Sequence, residues 1–196
     1  MPHYCSIRNL PLTVEGLSVH LNIPHLPNLA RCFLHEQLVQ VDENIELDDV
    51  PLSDWPVLIN TMKICVFPST VAIYYAPSDL SGMRGMFHEH IQAVDSWRRD
   101  PPRHDCVFVQ HDPDKPGFHG LYVVQVCHFF SIRHNKTHFP CALVSWYSTI
   151  STTLCADTGM WKVEPDFDNP GNVAMLIIHL DSMVHGAHLM GIAGTT

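Results

Sequence analysis

Six aromatic residues on or beside predicted strands, Tyr74, Tyr75, Tyr122, Trp146, Tyr147 and Trp161, carry the chemistry that points most directly to a ligand. Two or three converging rings can hold an N-methylated lysine by cation–π attraction, and an acidic surrounding field assists. Tyr74, Tyr122, Trp146, Tyr147 and Trp161 are therefore the candidate members of an aromatic cage. The competing reading is that these rings fill the core of a small domain, where Trp and Tyr are usually well covered.

Cys127, His128, His134, His138 and Cys141 fall close together, and His134 and His138 have the spacing of the histidine half of a zinc finger. The other half, a CxxC pair, is absent, and a closed site needs four convergent ligands. No metal site and no cofactor are expected; Cys127, His134, His138 and Cys141 are the weak candidates. His88 and His90 are spaced for a strand better than for a helix. His185 and His188 would share one face of a helical turn, with Asp181 the only carboxylate near them. Nucleophilic catalysis finds no GxSxG elbow and no activated cysteine setting. Asp157, Glu164, Asp166, Asp168 and Asp181 sit in turn-like contexts rather than on the core strand and helix of a two-metal nuclease. The stretch from Ser81 to Met86 lacks the ending of a phosphate loop. The chain is expected not to be an enzyme.

The elements that must position these residues are mostly strands. Runs at 121–130, 139–147, 160–163 and 175–180 are separated by turn chemistry at His134-Asn135-Lys136, Asp157-Thr158-Gly159 and Asp168-Asn169-Pro170-Gly171. Further strands are predicted at 57–67, 70–75 and 105–110, and a strong turn at 112–117. A short helix is predicted at 87–97 and a helical turn at 181–188. The clearest helix is 29–41, capped by Asn28, with Leu29, Cys32, Phe33 and Leu38 on one face. Asp42, Glu43, Glu46, Asp48, Asp49 and Asp54 form an acidic stretch anchored by apolar residues, which reads as a solvated loop. The expected organisation is an N-terminal helical and acidic extension, 1–56, followed by a β-rich domain, 57–196. The fold class is mainly β, α+β overall, as a small curved antiparallel sheet or barrel.

With 196 residues and 46% apolar content the chain is long enough to bury a core. Its formal charge is −9, from 11 basic and 20 acidic residues, and neither half has the basic excess of a phosphate-binding domain. Arg98, Arg99 and Arg103 form the one basic cluster, offset by Asp95, Asp100 and Asp105. Direct nucleic-acid binding is not expected. Seven scattered cysteines suggest a reducing intracellular compartment rather than a disulfide framework. No apolar run reaches the roughly 18–20 residues of a membrane span, and no secretory signal is read at the start.

Several longer phrases carry a resemblance. They are Tyr75-Ala76-Pro77-Ser78-Asp79-Leu80-Ser81-Gly82, Pro102-Arg103-His104-Asp105-Cys106-Val107-Phe108-Val109, Pro140-Cys141-Ala142-Leu143-Val144-Ser145-Trp146-Tyr147, Asp157-Thr158-Gly159-Met160-Trp161 and the stretch from His179 to Gly191. From about residue 5 onward the chain resembles the C-terminal region of transposon-encoded proteins of mushroom-forming fungi, of the Plavaka and Kyakuja–Dileera–Zisupton kind. In such proteins the RNase H-like catalytic core lies upstream of this region. The resemblance therefore implies a non-catalytic module derived from a transposase-like protein. Its β-rich part is similar in character to bromo-adjacent homology (BAH) modules, which bind proteins on chromatin. The implied partner is a protein or histone peptide, in the nucleus rather than the cytoplasm. The alternatives are a metal-dependent nucleic-acid enzyme fragment and a direct DNA-binding module.

Overall fold

Thr13 caps the first helix. In the computed structural model, which describes residues 13–38, 63–76, 85–95, 101–112, 114, 115, 117–168 and 171–191, its Oγ1 accepts a hydrogen bond from the Gly16 amide at 3.1 Å. Helix α1 (Val14–Leu21) ends at Asn22, whose left-handed backbone (φ 55°) suits an asparagine. Helix α2 spans Leu26–Leu38. It begins three residues earlier than predicted, because Pro27 falls in the first turn, where its fixed φ fits and no amide donor is missed. Asn28 is thus inside the first turn rather than at the cap. The buried face is Leu26, Ala30, Phe33 and Leu34, at helical spacing, whereas Leu38 is exposed.

The chain forms two compact units, 1–67 with 130–141, and 68–129 with 142–196. The first holds α1, α2 and strand β1 (Ile64–Phe67), whose Ile64 and Val66 point inward. It also holds the end of a long hairpin made by β6 (Leu121–His134) and β7 (Thr137–Thr149). That hairpin turns through Asn135 and Lys136 with φ of 47° and 67°, a two-residue turn of the kind that matches strand twist. The predicted turn and both strands are therefore present, the strands longer than expected.

The second unit contains β2 (Ser69–Tyr75), β3 (Met86–Val94), β4 (Arg103–His104), β5 (Cys106–Gln110), the remainder of the hairpin, β8 (Val163–Pro165), β9 (Met175–His179) and β10 (Met183–Ala187). β2, β3 and β4 form a three-stranded antiparallel sheet. A larger sheet runs in the order β10-β5-β6-β7-β8, with β1 also pairing β6 and β9 also pairing β7. The protein is mainly β with antiparallel sheets, but the sheets are not closed into a barrel among the described residues.

Two predicted helical segments are strands. Residues 87–94 belong to β3: Ile91 and Ala93 are buried while Met86, His88 and His90 are exposed, a period of two rather than 3.6. The spacing of His88 and His90 already carried that signal. At 181–188 only Leu180–Ser182 form a single 3-10 turn, and Met183–Ala187 pair with β5. His185 and His188 therefore do not share a helical face. The strand predicted at 160–163 is displaced to Val163–Pro165, because a tight turn with Gly159 at φ 66° occupies the preceding residues. The acidic stretch 42–54, the boundary at 56, all but Gly85 and Met86 of a loop expected over 78–86, and Arg98 and Arg99 lie outside the described residues; Met86 opens β3. No helix of the described residues is long and apolar enough to cross a membrane.

Candidate functional site

A cavity of about 360 Å³ opens on the second unit where β6, β7 and β8 meet two connections. Tyr122, Tyr147 and Trp161, three of the five cage candidates, line it, together with Phe118 and His119. The 3-10 turn Gly117–Gly120 supplies the last two. Phe118 lies flat on Trp161, with ring centroids 4.7 Å apart and planes at 8°. His119 stands edge-on to the same indole at 5.3 Å. Tyr122 is 41% exposed and is braced by two neighbours: His111 tilted against it at 4.3 Å, and Trp146 edge-on at 5.4 Å. Trp146 does not line the cavity. Tyr147 follows it in β7 and points to the opposite face, so the Tyr122 ring packed on Trp146 is turned away from Tyr147. Tyr122 therefore borders the cavity without presenting its ring to it.

The turn that carries Phe118 is held from behind. The carbonyl of Gly120 accepts the amides of His111 (3.0 Å) and Asp112 (3.1 Å). A side chain at Gly120 would run into the carbonyl oxygens of Asp112 and Lys115, so close approach of backbone is the reason for glycine there. Asp112 also accepts from Lys115 at 3.1 Å and from the Asp114 amide; the lysine bond first, then the amide, holds its carboxyl below the usual range.

Tyr74 is elsewhere. Its ring meets His185 at 5.1 Å, His185 meets Phe108 at 5.1 Å, and Phe108 meets Phe118 at 6.0 Å. Tyr74 is therefore joined to Trp161 by a string of rings but is not part of the wall. Tyr75 is largely exposed and covers Gly85, again away from the cavity.

The acceptors of the wall are neutral. The rim hydroxyls are those of Thr149, Ser151 and Thr152; Ser148 borders the cavity but directs its hydroxyl to the other face. Ser148 donates its hydroxyl proton to Asp166 at 2.7 Å, and Ser151 donates to the Thr153 carbonyl at 2.6 Å. Tyr147 keeps its proton to higher pH than an ordinary phenol, because burial, then the neighbouring Cys106 and Cys127, disfavour the phenolate. Among the described residues no carboxylate lines the cavity.

The weak metal candidates are not assembled. Cys141 is fully buried and donates to the Phe130 carbonyl at 3.4 Å, and burial pushes its thiol up. His134 meets Asn135 at the hairpin turn, and His138 is exposed. Burial likewise raises the Cys127 thiol, against hydrogen bonds from Ser145. Among the described residues no group of three or more His, Cys, Asp or Glu is placed to hold a metal. Arg103 is paired with Asp105 at 2.9 Å, and Asp105 also accepts the Gln92 amide at 2.8 Å. A smaller polar cavity beside that pair, about 100 Å³, is crossed by Glu89, which accepts the Gly186 amide at 2.7 Å. Its carboxylates are thus committed to the fold.

Sequence reasoning missed Phe118, His119 and the hydroxyl rim. Phe118 follows directly on the 112–117 turn, but nothing local shows that this turn faces Trp161. No protein-family model, curated protein or solved structure matches the chain.

Proposed function

We propose that this chain is a non-catalytic module that binds a protein or peptide through the aromatic cavity, taking an N-methylated lysine side chain. The observation that carries this reading is that Trp161 and Tyr147 line one cavity, with Phe118 stacked on the indole. Ring faces attract a cation through their quadrupole, and the chain's charge of −9 favours a basic ligand over a polyanion. A cavity of this size is at the low end of ligand sites, roughly 300–1,000 Å³, and suits a side chain rather than an extended peptide. The phrases 75–82, 102–109, 140–147, 157–161 and 179–191 support a derivation from fungal transposase-like proteins, and with it a BAH-like, chromatin-associated role in the nucleus.

Titration of the purified chain with methylated and unmethylated histone-tail peptides, read by calorimetry and by Trp161 emission, tests the proposal. Saturable binding to methylated peptides that Trp161→Ala weakens supports it. Binding that Trp161→Ala leaves intact, or a salt-sensitive affinity for duplex DNA with no peptide binding, overturns it.

A further inference from the structure

We infer that the cavity selects a quaternary ammonium, the trimethylated state of lysine, over the lower methylation states; this rests on the reading of the cavity as a methyl-lysine site. The methylation states differ in what they bring into a cavity. An unmodified or monomethylated ammonium carries N–H donors that leave water on entry, and each needs a new acceptor. A charged acceptor serves best, because hydrogen bonds to a carboxylate are roughly twice as strong as neutral ones. A trimethylammonium has no N–H, spreads its charge over its methyl groups, and asks only for ring faces and a favourable field.

The walls match the second set of requirements. Phe118–Trp161 and Tyr147 offer π surface, while the remaining acceptors are His119 and the hydroxyls of Thr149, Ser151 and Thr152. The Ser148 and Ser151 hydroxyl protons are already donated within the protein. Acidic residues are near, but on the wrong side. In β8, Val163 lines the cavity and pairs with Thr149, whereas Glu164 pairs with Ser148. Successive side chains point to opposite faces of a strand, so Glu164 is turned away from Thr149 and Val163. Asp166 shares that outer face and is occupied by Ser148. Their charge reaches the cavity as a field, which favours any cation, without supplying a contact acceptor, which would favour N–H-bearing ones.

The test uses the full chain and four probes, Nα-acetyl-lysine-N-methylamide with zero, one, two or three Nε-methyl groups, plus the neutral tert-butyl isostere of the trimethyl form. Affinities are read from amide and indole shifts. The expected order is rising affinity with each methyl, about tenfold from unmodified to trimethyl, with the neutral isostere weaker than the cation. An optimum at one or two methyl groups, a flat series with measurable binding, or equal affinity for the isostere overturns the selectivity. No shift of the Trp161 indole with any probe overturns the underlying site assignment instead. Thr149→Glu adds the missing carboxylate at an exposed rim position and is expected to move the optimum to a lower methylation state; Thr152→Glu makes the same test at an independent position. Retained trimethyl preference in both variants counts against the mechanism.

Discussion

The ring of Phe118 lies against the indole of Trp161 at 4.7 Å and within 8° of parallel, so one indole face is occupied and the indole's tilt is set by a residue more than forty positions earlier in the chain. Such a pair adds about 0.5–1.5 kcal/mol beyond the area it buries. Trp161→Ala is expected to cost more stability than that pair term alone, because the indole's burial is lost with it, while weakening binding of a methylated ligand roughly 2- to 30-fold, the range of a cation–π contact of about 0.5–2 kcal/mol. Phe118→Leu keeps apolar volume but not the flat partner, and should shift Trp161 emission and near-ultraviolet circular dichroism with a smaller loss of affinity. Unchanged spectra in Phe118→Leu would contradict the stacking role.

Gly120 is expected to be intolerant of alanine for a reason of space. Its backbone has no left-handed φ to protect; the obstacle is the pair of carbonyl oxygens of Asp112 and Lys115. Backbone cannot swing aside as a side-chain end can, and overpacking of this kind costs about 1–3 kcal/mol. Gly120→Ala should lower the thermal midpoint and, by displacing the turn that bears Phe118, weaken ligand binding as well. A variant with wild-type melting and binding would show that the turn is not held there.

Much of this architecture is readable from local signals, and what is not readable depends on distant partners. The hairpin of β6 and β7 announces itself through two apolar runs around His134-Asn135-Lys136, since turn chemistry and strand propensity are local. Residues 87–94 mislead because Met86, His88, Glu89 and Gln92 fit a helix well, and the alternation that decides the matter is enforced by pairing with β2 and β4. Pairing with β5 likewise converts 183–187 to a strand. The site divides in the same way. Aromatic content marked Tyr147 and Trp161, but residue type cannot separate a ring that lines a cavity from rings on the other face of the strand, as those of Tyr122 and Trp146 are, or from one at the far end of a ring string, as Tyr74 is.

Cys155 should be the most reactive of the described thiols. Hydrogen bonds from the Thr158 hydroxyl and from the Asp157 and Thr158 amides stabilise its thiolate and bring it down to about 7. Burial acts the other way on Cys106, pushed up to about 11, and raises Cys127 and Cys141 as well. Because the thiolate is the nucleophile, the iodoacetamide rate at Cys155 should rise through a midpoint near pH 7 and level off above it. Mass spectrometry of pulse-alkylated protein reads each site. A Cys155 rate still climbing steeply at pH 9, or faster modification of Cys141, would overturn this assignment.

Glu36 on α2 is expected to lower stability at neutral pH. Burial raises its carboxyl above the ordinary value, and a hydrogen bond from the Cys32 thiol at 3.9 Å opposes that shift only in part. The folded protein therefore holds this proton more tightly than the unfolded chain. The resulting stability is fully present below the unfolded value near 4.5 and is lost as pH rises through the higher folded one. Glu36→Gln keeps an oxygen for Cys32 and removes the charge. Its thermal midpoint should exceed that of the wild type at pH 7, and the difference should shrink toward pH 4. A variant no more stable at pH 7 would place the carboxylate in a better solvated setting than this.

Lys136 occupies a backbone conformation that suits glycine. Both residues of the two-residue turn are left-handed, Asn135 at φ 47° and Lys136 at φ 67°. Asparagine tolerates that region, whereas an ordinary L side chain is strained in it by about 1–2 kcal/mol. Lys136→Gly removes the strain but gives the unfolded chain more freedom, so the expected net gain is about 0.5–1 kcal/mol. Lys136→Ala shortens the side chain without relieving the backbone and should gain nothing comparable. The two variants together separate backbone strain from any effect of the lysine's charge at the hairpin end. Equal stabilisation by alanine and glycine in chemical denaturation would assign the effect to charge instead.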